Sequence, residues 1–253
     1  MTSFDLEKVL SLTMADVRKS FLRLFPLFLL VAVGVNLANA AALEALQPGQ
    51  GTAGIAFGPL ILMICIAFFA YGVEVVVGAQ LMNGGRMRLG SAILQSLRRF
   101  PVVLLAMLGY YLAMVIGLLL LIIPGLIVSV TLAYSLFLAV LDDCGPVEAL
   151  RGSFRLIWGN AWLLMGANLI FVVAYLVTLA LAFSLLPGSA EELFTMLATP
   201  GGYGDWRRWV FDALASVFGV VQLFLNLHIF VDLKRLKTEG EGSGAAEGAT
   251  VSV

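Results

Sequence analysis

Charged and strongly polar residues are gathered into short stretches of this chain, and long apolar runs fill the intervals between them. The runs cover about 24–43, 59–82, 101–123, 126–141, 161–186 and 209–231. A helix needs roughly 20 such residues to cross a bilayer core of about 30 Å. The interval from Pro101 to Leu141 carries no charge at all. As one helix it would be roughly 60 Å long, twice that thickness. Pro124-Gly125 is expected to break it, because Pro removes a backbone donor and Gly admits positive φ. A tight hairpin there gives six spans, the fourth being the shortest. The predicted fold class is all-α: a polytopic membrane bundle of six transmembrane helices.

Composition and charge sharpen this. Hydrophobic residues make up 61% of the chain and charged residues 12%, about half the usual charged share of roughly 25%. Lys8, Arg18, Lys19 and Arg23 precede span one, and Arg86, Arg88, Arg98 and Arg99 lie between spans two and three. Arg151 and Arg155 separate spans four and five, while Lys234, Arg235 and Lys237 follow span six. The opposite loops hold Glu44, Glu191, Glu192 and Asp205, with Arg207 and Arg208 as the basic exceptions. Positive charge is retained on the cytoplasmic side, so both termini are expected there. Leu27 to Leu37 followed by Ala38-Asn39-Ala40 also has the form of a signal-peptide core and cleavage site. The length of that leader, and its part in the repeat below, favour a retained span. Residues 238–253 are small or polar apart from two valines and are expected to be disordered. Residues 1–237 then form one integral membrane domain.

The basic stretch before each odd-numbered span has a similar design. The three read Ser20-Phe21-Leu22-Arg23-Leu24-Phe25-Pro26, Ser96-Leu97-Arg98-Arg99-Phe100-Pro101 and Ser153-Phe154-Arg155-Leu156-Ile157-Trp158. Helix-start signals accompany each: Thr13 with Asp16, Ser91, and Pro146 with Glu148. The expected unit is an amphipathic helix lying on the inner leaflet, followed by a hairpin of two spans.

Ile123-Pro124-Gly125-Leu126, Asp142-Asp143, Gly145-Pro146-Val147-Glu148-Ala149-Leu150-Arg151 with Ser153, and Trp158-Gly159-Asn160-Ala161-Trp162 occur in that order. With the ending Val231-Asp232-Leu233-Lys234-Arg235, this series resembles a bacterial six-span inner-membrane family related to the membrane domain of glycerophosphodiester phosphodiesterases. The resemblance covers the carboxy-terminal half well and the first two spans by topology alone. It implies a bacterial inner-membrane location and supplies no catalytic residues. The diesterase activity of fused relatives belongs to a separate soluble barrel of about 250 residues, for which this chain has no room.

Polar groups inside a membrane are functional candidates because burying them in hydrocarbon is costly. Glu74 lies about 12 Å from the inner end of span two. A carboxyl there is either neutral or paired, with Gln222, Asn226 or Tyr110 as the expected donors. It serves a proton or cation relay, a lipid contact, or an interhelical hydrogen bond, the last being the favoured role. Gln222 and Asn226 share a face of span six, with Asp212 and Ser216 on a similar line. That stripe either lines a wet crevice or is a packed seam, and packing is favoured because Ala215-x-x-x-Gly219 permits close approach. Ala174, Thr178 and Ala182 form a matching ridge on span five.

His228, the one histidine, cannot build a zinc site without Cys partners at suitable spacing. It is expected at the interface near Asp232. Cys65 and Cys144 lie at different depths, so no disulfide is expected. Asp142, Asp143 and Glu148 beside Arg151 and Arg155 are expected to form a helix cap with salt bridges rather than a Mg²⁺ site. No phosphate-cradling loop or nucleophile pair is present, and a net charge of −1 argues against nucleic acid. The expected function is therefore a non-enzymatic multi-pass protein without metal or cofactor, acting through membrane lipids or a membrane-protein partner in envelope maintenance. Arg86, Arg88, Arg98, Arg99, Arg151 and Arg155 are the candidate headgroup contacts. A small transporter or accessory permease subunit using Glu74, Gln222 and Asn226 is the alternative.

Overall fold

The computed structural model describes residues 5–45, 57–120, 122–198 and 205–248. Every regular element among the described residues is a helix. In chain order these are α1 (Leu6–Ala45), α2 (Phe57–Met82), α3 (Leu89–Leu120), α4 (Ile122–Leu132) and α5 (Ser135–Leu141). They are followed by α6 (Pro146–Ile157), α7 (Ala161–Leu185), α8 (Ala190–Ala198) and α9 (Trp206–Gly248). Five of them, α1, α2, α3, α7 and α9, are long and apolar enough to cross a membrane. Large apolar side chains cover the outside, with Leu119 and Leu185 exposed by 82% and 83%. A soluble surface does not carry apolar patches of this extent. The chain is a multi-pass, membrane-embedded helical protein.

The buried core is drawn chiefly from three elements. Val73, Val75, Val76 and Val77 of α2, Leu136 to Val140 of α5, and Val220 to Leu233 of α9 supply most of it. Helices α1, α3 and α7 are applied to its outside. Gly78 lets α2 and α9 approach closely, since a Cβ there would lie 2.8 Å from the side chains of both Leu223 and Leu227. Gly219 does the same between α9 and α1, where a Cβ would meet the Phe28 ring at 2.7 Å. The close approach that Ala215-x-x-x-Gly219 permits is thus used against α1 rather than against the Ala174–Thr178–Ala182 ridge of α7. Of that ridge, Ala182 packs instead beside a small cluster of Leu193, Met196 and Phe211.

The expected break at Pro124-Gly125 falls close to residue 121, which lies outside the described residues. Helix α3 ends at Leu120 and α4 begins at Ile122, so Pro124 sits in the first turn of α4. A first-turn N–H has no intrahelical acceptor to lose, and Pro is tolerated there. Gly125 instead serves packing, because a Cβ on it would meet Leu118 of α3 at 2.6 Å.

A second interruption, not foreseen, divides α4 from α5 at Ala133-Tyr134. The Ser153 hydroxyl of α6 donates to the Thr131 carbonyl at 2.6 Å. In an unbroken helix that carbonyl would accept the N–H four residues on. Insertion of a side chain into the ladder is a recognised cause of helix breaks.

The amphipathic segments before the first two odd spans are not separate elements. Helix α1 runs through Pro26 and α3 through Pro101 without a break. Thr13 lies inside α1 and donates to the Val9 carbonyl at 2.8 Å, so it is no cap. Ser91 likewise lies inside α3 and donates to the Arg88 carbonyl at 2.9 Å. Only the third segment, α6, stands apart from its span. Gly159, at φ 104°, stops it where a side chain would be strained. Pro146 opens α6, and the Glu148 carboxylate accepts the Gly145 N–H at 3.5 Å. In all three copies the opening serine is buried, Ser20 by the end of α1's basic stretch, Ser96 and Ser153 likewise, while Arg23, Arg98 and Arg155 are exposed.

Helix α9 continues to Gly248, past residue 237 where a disordered tail is expected. The Thr238 hydroxyl returns to the Lys234 and Arg235 carbonyls at 3.2 and 2.8 Å, and Arg235 faces Glu239 at 3.7 Å. These one-turn contacts carry the helix over that boundary.

Candidate functional site

The break between α4 and α5 places Tyr134 in the core, 2% exposed, where its hydroxyl donates to Asn226 Oδ1 of α9 at 3.2 Å. This pair stands at the wall of a crevice of about 530 Å³. Helix α2 contributes Phe68 and Tyr71 to it, and α3 contributes Met107, Tyr110 and Tyr111. Asn168 enters from α7, and Gln222 and Asn226 from α9. No charged side chain lines it among the described residues. Its aromatic rings support one another: Tyr111 stacks on Phe68 at 5.9 Å and meets Tyr110 edge-on at 5.0 Å.

Hydrogen bonding in the crevice is incomplete. Asn168 Nδ2 donates to the Leu164 carbonyl at 2.9 Å, which leaves its oxygen open. Asn226 accepts from Tyr134, which leaves its amide nitrogen open. Tyr71, Tyr110 and Gln222 make no hydrogen bond among the described residues. Such groups in hydrocarbon are costly unless a partner arrives.

Glu74 is 5% exposed and lies one turn beyond Tyr71 on α2. It lies outside the crevice lining, and none of the expected donors Gln222, Asn226 and Tyr110 reaches it. The polar line on α9 also divides. Asp212 turns to α1, where Asn36 Nδ2 donates to it at 3.1 Å, and Ser216 donates back to the Asp212 carbonyl at 2.7 Å. Gln222 and Asn226 turn to the crevice. Tyr71, Tyr134 and Asn168 were missed in the sequence because tyrosines and a lone Asn pass as apolar-run residues. Treating every mid-run hydroxyl and amide as polar would have found them.

At the basic end of the bundle, three acids are held by basic groups distant in the chain. His228 Nε2 lies 3.0 Å from Asp16 of α1, a partner not expected from the sequence. Lys234 of α9 pairs with Asp142 at 2.7 Å, and Arg99 of α3 holds both the carboxylate and the carbonyl of Asp143. Asp232 pairs with Arg235 at 2.9 Å. Arg151 and Arg155 therefore do not form the salt bridges with Asp142 and Asp143 that their proximity in sequence suggested. Burial, with the Glu148 and Asp142 carboxylates nearby, pushes the Cys144 thiol up.

Arg98, Arg86, Arg88 and Arg151 are exposed and form no ion pair among the described residues. Arg98 and Arg99 border a cleft of about 360 Å³ with Ser91, Leu94, Gln95 and Asp143. Leu94 and Leu97 beside it are 54% and 58% exposed. Among the described residues no group of three His, Cys, Asp or Glu could hold a metal ion.

At the opposite end, the two basic exceptions find partners locally. Arg207 pairs with Asp205 at 2.5 Å, lies 3.7 Å from Glu192 and donates to the Pro187 carbonyl at 2.7 Å. Side-chain and backbone hydrogen bonds from Arg207 hold the Asp205 carboxyl below its usual range. Arg208 is buried and donates to the Met196 carbonyl at 3.0 Å. No family model, curated protein or solved structure matches this chain.

Proposed function

We propose that this is a six-span protein of the bacterial inner membrane that binds anionic lipid at the inner leaflet and serves envelope maintenance without catalysing a reaction. The fourth span, which adds to the five long helices, is the broken α4–α5 pair, Ile122 to Leu141 taken together, whose rise is about 30 Å. The distribution of Lys and Arg sets the basic end in the cytoplasm, with both termini. The resemblance in the carboxy-terminal half to the family of diesterase membrane domains supports the same location.

One observation carries the lipid reading. Asp142, Asp143, Asp232 and Asp16 are engaged by Lys234, Arg99, Arg235 and His228, while Arg98 forms no ion pair among the described residues and stands beside a headgroup-sized cleft with exposed leucines at its edge. A phosphate in that cleft would meet Arg98 directly and compete with Asp143 for Arg99, while the acyl chains lie along Leu94 and Leu97. Arg86, Arg88, Arg151 and Arg155 add to the surface attraction, at about 1 kcal/mol for each basic residue near an anionic leaflet. Asp142 and Asp143 are engaged as ion-pair acceptors, which supports a binding role over headgroup chemistry.

Native mass spectrometry of the protein released from its own membrane tests this. A stoichiometric anionic lipid that is lost in the Arg98→Gln/Arg99→Gln variant is the expected result. Retention of the same lipid by that variant sinks the proposal, and metal-dependent turnover on a phospholipid panel would replace it with an enzyme.

The burial of Glu74 without a partner among the described residues favours a second reading, a small transporter or accessory permease subunit. Proton-coupled flux abolished by Glu74→Gln at normal expression would support it. Unchanged flux in both Glu74→Gln and Glu74→Leu would remove it.

A further inference from the structure

The crevice around Tyr134 and the basic cleft around Arg98 differ in chemistry, and the first has a ligand class of its own. Its polar groups are hydroxyls and amides, with no charged side chain among the described lining residues. A charged head placed there would lose its hydration without a counter-charge, which is strongly unfavourable. A neutral head bearing carbonyl or hydroxyl oxygens would lose nothing comparable. It would find donors in Tyr71, Tyr110, Gln222 and the open amide of Asn226, and an acceptor in the open oxygen of Asn168. The apolar part of the lining, with Phe68, Met107 and Phe137, suits a flat ring or an alkyl chain. A volume of about 530 Å³ lies within the roughly 300–1,000 Å³ of small-ligand sites.

Access fits a lipid-soluble ligand. Tyr111 belongs both to the crevice and to the outer surface of α3, where it is 46% exposed. Ala133, at the break between α4 and α5, is likewise exposed and lines the same space. The crevice therefore reaches the face of the bundle that the acyl chains cover.

We infer that this crevice is a binding site for a neutral amphiphile, a molecule with an uncharged oxygen-bearing head and an aliphatic tail, admitted from within the bilayer. A diacylglycerol and an isoprenoid quinone share that chemistry. The site is separate from the Arg98 cleft and stands whether or not anionic lipid binds there.

The test uses the full chain in phosphatidylcholine nanodiscs, titrated separately with dioleoylglycerol and with decylubiquinone, with bound probe per chain counted by native mass spectrometry. Saturable uptake of one molecule per chain is expected, and the probe retained identifies the source. Ala133→Phe fills the crevice without removing a hydrogen bond and should weaken uptake at least tenfold. Tyr71→Phe preserves shape and removes one donor, so uptake should fall roughly threefold to tenfold while the melting curve stays in place. Arg98→Gln/Arg99→Gln should leave neutral-probe uptake unchanged. Absence of saturable uptake of both probes overturns the inference, as does uptake indifferent to both crevice variants. Equal displacement of the probes by phosphatidylglycerol would overturn the uncharged class.

Discussion

Helices α7 and α9 are both apolar and long enough to span, but they occupy opposite positions in the bundle. The most apolar stretch of α7 has mean hydropathy 2.3 with 6% of its residues buried, whereas that of α9 has 2.0 with 44% buried. The more hydrophobic helix is the less enclosed. In water the reverse would hold, because burial there follows hydrophobicity. In a bilayer the lipid takes the place of an apolar interior, so helices associate through close packing and polar contacts instead. Helix α9 carries Asp212, Ser216, Gln222, Asn226 and His228, and three of these reach other helices directly: Asp212 meets Asn36, Asn226 meets Tyr134, and His228 meets Asp16. Helix α7 meets α9 through aromatic edges, with Phe171 and Tyr175 against Phe218.

The sharpest way to break this contrast is to truncate matched side chains on the two helices. Phe224 on α9 is fully buried, and Phe224→Ala should cost about 3 kcal/mol or more, as large cavities do. Ile170 on α7 is 70% exposed, and Ile170→Ala should change stability by about 0.5 kcal/mol or less. Equilibrium unfolding in mixed micelles reads both. Equal losses would mean that α7 is as firmly enclosed as α9, and the outer position assigned to it would be wrong.

Close approach should matter nearly as much as volume. Gly78→Val would drive a side chain into Leu223 and Leu227, at a cost of about 1–3 kcal/mol. Gly166 on α7 has nothing within 4 Å of where a Cβ would stand, and Gly166→Ala should be neutral or slightly stabilising. A Gly78→Val protein with unchanged unfolding would show that α2 and α9 do not meet at this glycine.

How much of this was legible in the sequence follows from the same physics. Hydropathy alone located the helices that cross, because each must bury its backbone polar groups in hydrogen bonds of its own. It could not order them, since inner and outer spans have nearly the same composition. Glycine at position 78 and polar positions such as 222 and 226 are the local marks of enclosure, and the sequence reading did single out Gln222 and Asn226. It missed that Tyr134 would be their neighbour, because that contact depends on a helix break imposed by Ser153, a residue on another helix. The ion pairs failed for a related reason. Proximity in sequence favoured Arg151 and Arg155 as partners for Asp142 and Asp143, whereas the fold brings Lys234 and Arg99 there from elsewhere in the chain.

Those long-range pairs give a smaller and more specific test. Lys234 and Asp142 are 44% and 24% exposed at 2.7 Å, so solvent screens much of their attraction. A double-mutant cycle with Lys234→Met and Asp142→Asn should yield a coupling of about 0.5–1 kcal/mol, falling with added salt. A coupling of zero would remove this pair as a clamp between α9 and the turn before α6. Cys144 in the same turn sharpens the picture, because its thiol is pushed up. Its alkylation should accelerate only at a pH above the usual thiol value of about 8.5. Full reaction at neutral pH would place it outside that environment.

The smallest expected effect lies at the other end of the bundle, where pairing is local rather than long-range. Arg207 holds the Asp205 carboxyl below its ordinary value. A carboxyl lowered on folding contributes stability that is fully present above its unfolded value of about 3.9. That contribution is lost only as pH falls through the lower folded value. Acidification from pH 7 to 5 should therefore leave the difference in melting temperature between the parent and Asp205→Asn unchanged. The gap should begin to close only below about pH 4. Because the pair is only partly buried and near solvent, the gap itself should be small and sensitive to salt. A gap that closes between pH 7 and 5 would mean that Arg207 does not hold this carboxylate. The ion pairing of Arg207 at this end of the bundle would then rest on another acid.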